Sequence, residues 1–448
     1  MLLTTIEHNM NQESLARLRR LGVMKGVRQL RSAPRQASPV DDQGLASERA
    51  SRFHPALEEH GGPQPLTTLL PGLELVETAE GACYVLDRVY SLHQRHGAHR
   101  LNELLEHSTL CAARFCQDER LASTTFRDYL FLDTETTGLS GAGMLAFMVG
   151  VGFFEGEAFV VRQYFLRDHG DEPAMLLLLD ELIQRFAGLI TFNGRSFDLP
   201  LLDGRFVMNR MQTDLLARPH IDLLHPARRL WRLRFESCAL SALEQNLLGL
   251  QRTDEDVPGW LIPSLYHQFL QSGDGRGMAR VFYHNRIDML SMVTLAARIT
   301  HLFAEPQAGD HPLELLGLGK WQADLGFIVE AEQALRMAAA PELDTVFYHE
   351  ALMRLGSLLK RGERREEALT VWQQVAYTSF EDVTAHVELA KYYEWHARDL
   401  AQARAWTEQA LELLEGAQTS ARTVHAELEH RLARLVRKMD ERDDQTAR

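Results

Sequence analysis

The chain reads as two folded parts in series: a mixed α/β sheet domain flanked by helices over 126–304, and an all-α domain of repeated helix pairs over 312–440. Three observations predict this. Compact apolar runs at 129–132, 144–154, 158–166 and 189–192 have the length and turn boundaries of strands, and a helical pattern over 172–186 separates the last two. Beyond Pro312 the composition turns to Ala, Leu, Glu and Arg with helical spacing. Finally, 448 residues exceed what one ordinary hydrophobic core accommodates.

Each element follows in order. Residues 1–65 open with Arg17, Arg19, Arg20, Lys25, Arg28, Arg31 and Arg35, then become rich in Ser, Pro and Gln, which predicts a basic, flexible segment. Residues 66–125 read as an extension packed onto the α/β domain, with a hairpin-like stretch over 73–90 turning near Glu80 and Gly81 and helices over 101–105 and 109–116. Three early strands follow, the second and third joined by a turn at Glu155, Gly156 and Glu157, then a helix, a returning strand, and a helix starting near Leu199. Helices continue to about Phe303, with a loop over 258–263.

In the all-α part Gly319, Gly356 and Ala390, each preceded by Leu, recur at intervals of 37 and 34 residues. Ala331, Ala368 and Ala403 follow them at 12, 12 and 13 residues, so the third copy carries one extra residue. Small residues at such positions let paired helices approach closely, and the pattern is similar to tetratricopeptide repeats. An unrelated helical bundle is the competing reading.

The hydrophobic fraction of 45% and charged fraction of 25% are those of a globular protein. No uninterrupted apolar run approaches the roughly 20 residues of a membrane helix and no secretory start is visible, so a cytoplasmic location without a membrane partner is expected. Cys83, Cys111, Cys116 and Cys238 form no CxxC or Cys/His pattern and read as ordinary thiols. A net charge of −14 argues against a protein that coats duplex DNA, but not against an enzyme that grips a strand through a local basic patch and metal ions.

Three segments carry chemistry. In FLDTETTGLS, Asp133 and Glu135 stand two apart at the end of an apolar strand, so both carboxylates face one side and ask for a hard divalent cation. In ITFNGRSFDLPLL, Asp198 follows a strand and a polar turn, where capping of the next helix is the alternative. In YHNRIDMLSMVTLA, His284 and Asp288 share a helix face at a spacing of four, and an imidazole there can accept a proton from an attacking water. Arg228, Arg229, Arg232 and Arg234 form a candidate phosphate patch, with a solvated helix face as the alternative. Asp222 reads as a helix cap or a support for the ligands rather than as a ligand itself.

Taken in order, DTETTGL, TFNGRSFDLPLL, DLLHPARRLW and HNRIDMLSM resemble the DEDD superfamily of 3′-to-5′ exonucleases with its RNase H-like fold. They look most like the bacterial YprB-type group, some members of which carry tetratricopeptide-like helices. The resemblance covers about residues 72–300. It implies metal ligands at Asp133, Glu135, Asp198 and Asp288, two Mg²⁺ or Mn²⁺ ions, and a single-stranded DNA or RNA end as substrate. It further implies substrate contacts from Thr134, Thr137, Leu139, Asn193, Phe197, Tyr283, Arg228 and Arg229, and leaves a protein partner for the helical repeats open. One departure stands out. The usual base is a His five residues before the last Asp or a Tyr four before it, whereas here Tyr283 stands five before and His284 four before. His284 is favoured because its titration lies near neutral pH. An RNase H-type endonuclease and a catalytically weak scaffold are the alternatives, and intact buried carboxylates argue against the second.

Overall fold

The computed structural model describes residues 62–138, 143–340, 343–379, 382–415 and 422–446; the basic N-terminal arginines and Leu139 lie outside them. A seven-stranded sheet forms the centre, from β1 (Leu73–Thr78), β2 (Gly81–Ser91), β3 (Tyr129–Thr136), β4 (Ala146–Glu155), β5 (Ala158–Phe165), β6 (Gly188–Thr191) and β7 (His220–Asp222), in the order β1-β2-β5-β4-β3-β6-β7. Pairing is antiparallel from β1 through β3, and β6 and β7 run parallel to β3. The hairpin read as part of a packed extension is therefore continuous with the sheet, zipped along β5 from Tyr84 opposite Phe165 to Ser91 opposite Ala158. The short β7 was not anticipated, because three residues are too few for an alternation to show.

Helices cover both faces: α1 (Leu66–Leu69), α2 (Thr109–Cys116), α3 (Glu172–Ile183), α4 (Asp198–Met208), α5 (Leu224–Trp231), α6 (Leu240–Asn246), α7 (Ile262–Ser272) and α8 (Arg276–Ala304). Burial on both sides explains why β3 and β4 read as continuous apolar runs rather than alternating ones. Successive residues of β3 nonetheless feed different cores. Leu130 and Leu132 pack with α3, α4 and α7, while Tyr129 and Phe131 pack with α2, α5 and the second half of α8. Helix α8 is long and apolar enough to cross a membrane by length and composition, yet 72% of its most apolar window is buried inside the protein, as the core helix of a domain requires.

The C-terminal part is all-helical among the described residues: α9 (Pro312–Asp324), α10 (Ile328–Ala338), α11 (Thr345–Arg361), α12 (Arg365–Thr378), α13 (Thr384–Tyr392), α14 (Leu400–Glu415) and α15 (Arg422–Thr446). The small residues sit where helices touch. A Cβ on Gly319 would lie 2.7 Å from Leu335 of α10, one on Gly356 would lie 2.3 Å from Trp372 of α12, and Ala390 and Ala403 are fully buried. The extra residue of the third copy is absorbed as a π-helical turn at Tyr393–Ala397. The first pair docks on the α/β domain: a Cβ on Gly317 would lie 2.6 Å from the Arg229 carbonyl oxygen, Trp321 packs on Phe115 and Phe303, and Arg229 pairs with Asp324 at 2.6 Å.

Candidate active site

Strand β3 carries its chemistry further than the apolar run suggests, since it continues through Thr136 with a bulge between Glu135 and Thr136. Bulges re-aim side chains, and this one lies where Asp133 and Glu135 turn their carboxylates toward α8. Helix α8 answers from the other side with His284 and Asp288, one turn apart. Donor atoms of Glu135, His284 and Asp288 lie within 4.8 Å of one another, a separation that one cation can span.

Close approach of α8 to the sheet depends on Gly150, which pairs with Asp133 across β3 and β4. A Cβ there would lie 2.0 Å from the Asn285 amide oxygen. Asn285, fully buried, donates to Asp133 Oδ2 at 3.0 Å and accepts at 2.9 Å from Gln163 of β5, which also donates to the Phe282 carbonyl. Asp133 is thus held by an amide network that no motif announced.

Thr134 points to the opposite face of β3 from Asp133. There its hydroxyl donates to Asp198 Oδ1 at 2.5 Å. Thr134, read as a substrate contact, therefore orients a carboxylate instead. Asp198 is the first residue of α4 and its side chain caps no helix end.

The electrostatics follow from this crowding. Burial, then repulsion from Asp198 and Asp288, pushes Asp133 well above the ordinary carboxylate range. Burial, then Asp133, Asp288 and Asp198, does the same to Glu135. Burial pushes Asp198 up to about 6 against the Thr134 hydrogen bond, and it also raises Asp288 against the charges of His284 and Arg252. Of these acids Glu135 and Asp288, together with His284, have donor atoms close enough for one cation, while Asp133 and Asp198 add their negative charge to the same field.

His284 is oriented by a residue the motifs did not include. Its Nδ1 lies 2.7 Å from Asp256 Oδ1, and its Nε2 lies 3.6 Å from Asp288 Oδ2. Nδ1 also lies 3.0 Å from Arg252 Nη1, so it is held between Asp256 and Arg252 while Nε2 faces the acidic cluster. Burial disfavours the charged ring, but the Asp256 hydrogen bond and the Asp288 charge outweigh it and hold the imidazole above its ordinary value. Arg252 completes the frame: it pairs with buried Glu244 at 2.6 Å, with Asp256 at 3.3 Å, and with Asp288. Glu244, Arg252 and Asp256 fall in a stretch without strand or long-helix signature, so only the fold reveals them.

A cavity of about 760 Å³ opens over the cluster, lined by Asp133, Asn193, Arg228, Arg232, Arg252 and His284 among others. Asn193 adopts a left-handed φ of 69°. Asp222 fixes that turn, accepting from the Asn193 and Arg195 amides at 2.8 and 3.1 Å and from Leu224 at the start of α5 at 3.1 Å. Its role is architectural. The arginine cluster divides: Arg228 and Arg232 line the cavity, whereas Arg229 pairs with Asp324 and Arg234 with Glu314. Arg229, read as a phosphate contact, instead ties the two domains together.

Three other sequence candidates lie elsewhere. Tyr283 lines a separate cavity with Arg286, and its hydroxyl accepts from the Thr253 amide at 3.3 Å. Thr137 accepts from the Leu145 amide at 3.1 Å and borders a cavity with His169 and Arg205. Phe197 is half-buried immediately before α4. Of the cysteines, Cys83, Cys111 and Cys116 have thiols pushed up to about 12 by burial, and none contributes to the donor cluster.

Residues 130–300, which span every member of this cluster, match the RNase H superfamily. The whole chain is 31% identical over 366 residues to the protein YprB of Bacillus subtilis (strain 168), covering 80% of this chain and 86% of that protein. The chain belongs to the YprB-type branch of the RNase H superfamily. Metal-dependent cleavage of nucleic acid is the chemistry of RNase H-like nucleases, and the carboxylates with His284 are the donors such chemistry requires. The RNase H-like core comprises β3 through β7, to which β1 and β2 add an antiparallel margin.

Proposed function

We propose that this protein is a 3′-to-5′ exonuclease acting on single-stranded DNA or RNA ends with two Mg²⁺ or Mn²⁺ ions. The observation that carries the reading is the convergence of Glu135, His284 and Asp288 within 4.8 Å, with Asp133, His284 and Asp288 facing a cavity edged with arginines. Bound between the carboxylates, divalent ions supply the positive charge that eases water deprotonation and steadies the departing oxygen. Asp133, Glu135, Asp198 and Asp288 hold that charge. His284, with Nδ1 anchored on Asp256, accepts the water proton at Nε2. Asn193 orients the terminal nucleotide, and Arg228 and Arg232 hold phosphates upstream of it.

Purified protein with Mn²⁺ on 5′-labelled linear and internally labelled circular single strands of DNA and RNA tests the reading. A ladder shortening from the 3′ end with release of nucleoside monophosphates is expected, and a circle should survive. Cutting of the circle would replace this reading with an endonuclease, and intact substrates under every condition would remove both.

A further inference from the structure

The repeats contain a second site of quite different character. Between α11, α12, α13 and α15 lies a cavity of about 220 Å³ whose lining includes Lys360, Lys391, Tyr392, Trp395, His396 and Arg431. Two of these, Trp395 and His396, are brought there by the π-helical turn that absorbs the extra residue of the third copy, and Tyr392 stands just before it. Such turns displace side chains from the regular helical rows, and they concentrate at functional positions. Trp395 is 56% exposed, an unusual state for the largest apolar side chain.

The charge around this cavity is opposite to that of the chain. Lys360, Arg365, Lys391, Arg431, Arg434 and Lys438 gather here, and the carboxylates that pair with them are Glu363, Glu388 and Glu394. Three positive charges remain in excess on a chain whose net charge is −14. Lys438 and Arg434 also stand over the Trp395 ring, at 4.5 and 5.7 Å from its centre.

We propose that this cavity binds a single-stranded stretch of nucleic acid, stacking a base on Trp395 and neutralising the adjoining phosphates with Lys360 and Lys391. Exposed rings set among cations are what sequence-tolerant strand binding uses, because every base offers a π face and every linkage a charge. An acidic peptide would engage the cations but has no use for three aromatic rings. The inference rests on the proposed nuclease function only for its biological sense. The repeats hold the strand whose end the catalytic cavity receives.

The experiment separates the two. Fluorescence anisotropy of the full chain with a fluorescein-labelled oligo(dT) or oligo(U) 20-mer, in EDTA so that nothing is cut, reports binding alone. Trp395→Ala is expected to weaken it roughly 5- to 150-fold, while Trp395→Phe, which keeps a ring, retains most of the affinity. Lys391→Gln should lower the slope of log affinity against log salt by about 0.7 for the lost phosphate contact. Circular dichroism should be unchanged, since Trp395 is largely exposed. Equal affinities for wild type and Trp395→Ala would overturn the site. So would displacement of the oligonucleotide by oligoglutamate without any effect of Trp395→Ala, which would make it a peptide site. If wild type binds with the expected variant pattern yet cleaves no substrate with Mn²⁺, the site stands and the nuclease reading falls; cleavage with unaltered variant binding gives the reverse.

Discussion

Two buried acidic sites in this protein are built on opposite plans. In the α/β domain Asp133, Glu135, Asp198 and Asp288 crowd together, and Arg252 is shared among Asp288, Glu244 and Asp256. In the repeats the single carboxylate of Glu394, with no side-chain exposure, meets Arg431, Arg434 and Lys438, each at 2.8 Å. The first cluster lifts its acids above their ordinary range; in the second, burial alone would do the same, but Arg434 and Lys438 overcome it and hold Glu394 below. A carboxylate satisfied by its own protein is structural. One left short of positive charge is waiting for a cation from outside.

Substitution should expose that contrast most sharply at Asp133. Asp133→Asn is expected to lower nuclease activity by far more than the roughly 10- to 100-fold that loss of a ligand's supporting partner costs. The same change removes repulsion, so the metal-free protein should melt at least about 2 to 4 °C higher. Activity lost together with stability would mean that Asp133 is structural and would break the comparison.

At His284 the expected loss is about 10²- to 10⁴-fold for His284→Ala with metal affinity retained, measured by calorimetric titration of Mn²⁺. Tyr283→Phe should cost less than about tenfold, because its hydroxyl lies in another cavity. The reverse ranking would reassign the base.

Glu394→Gln should behave as the mirror image of Asp133→Asn. It leaves three cations facing a neutral amide and should cost about 2 to 4 kcal/mol in chemical denaturation, with nuclease activity on short strands unchanged. The pH dependence differs in sign as well. Asp198 holds its proton more tightly folded than unfolded, so between 3.8 and about 6 it makes the metal-free protein less stable as pH rises, and saturating Mg²⁺ should abolish that slope. Glu394, depressed below its ordinary 4.5, contributes fully above that value and loses its contribution as pH falls through the folded one. Denaturation of wild type and Glu394→Gln at several pH values checks this, and parallel curves would contradict it.

Asp256→Asn should act more weakly than His284→Ala. It keeps a partner for His284 Nδ1 but removes the charge, so a roughly tenfold fall in turnover with unaltered Mn²⁺ affinity is expected. No change in turnover would mean that the Asp256 charge contributes nothing beyond a hydrogen-bond partner.

What could be read in advance followed from how local each signal is. Asp133, Glu135, His284 and Asp288 lie on a strand and a helix whose periodicities place them correctly before any fold is known. Asn285 and Gly150 escaped notice because one is a polar residue inside an apolar helix and the other a glycine inside an apolar strand, and each makes sense only against the other. Arg252, Glu244 and Asp256 come from short, irregular segments, where position depends wholly on long-range packing. Arg229 misled because sequence clustering shows charge density but not direction: α5 turns Arg228 to the cavity and Arg229 to Asp324. The repeat spacing, by contrast, showed one surplus residue between Ala390 and Ala403, and the π-helical turn lies in that interval.

Helix α8 also gives the protein a timetable. Its His284 and Asp288 are the last of the proposed catalytic side chains to be synthesised, and at roughly 5 to 20 residues per second the ribosome needs on the order of ten seconds to travel from Glu135 to Asp288. Throughout that interval the nascent polypeptide carries the paired acids without His284 or Asp288, so on the proposed function its site is incomplete. Helix α8 supplies the missing side chains together, with Asn285 packed closely against Gly150.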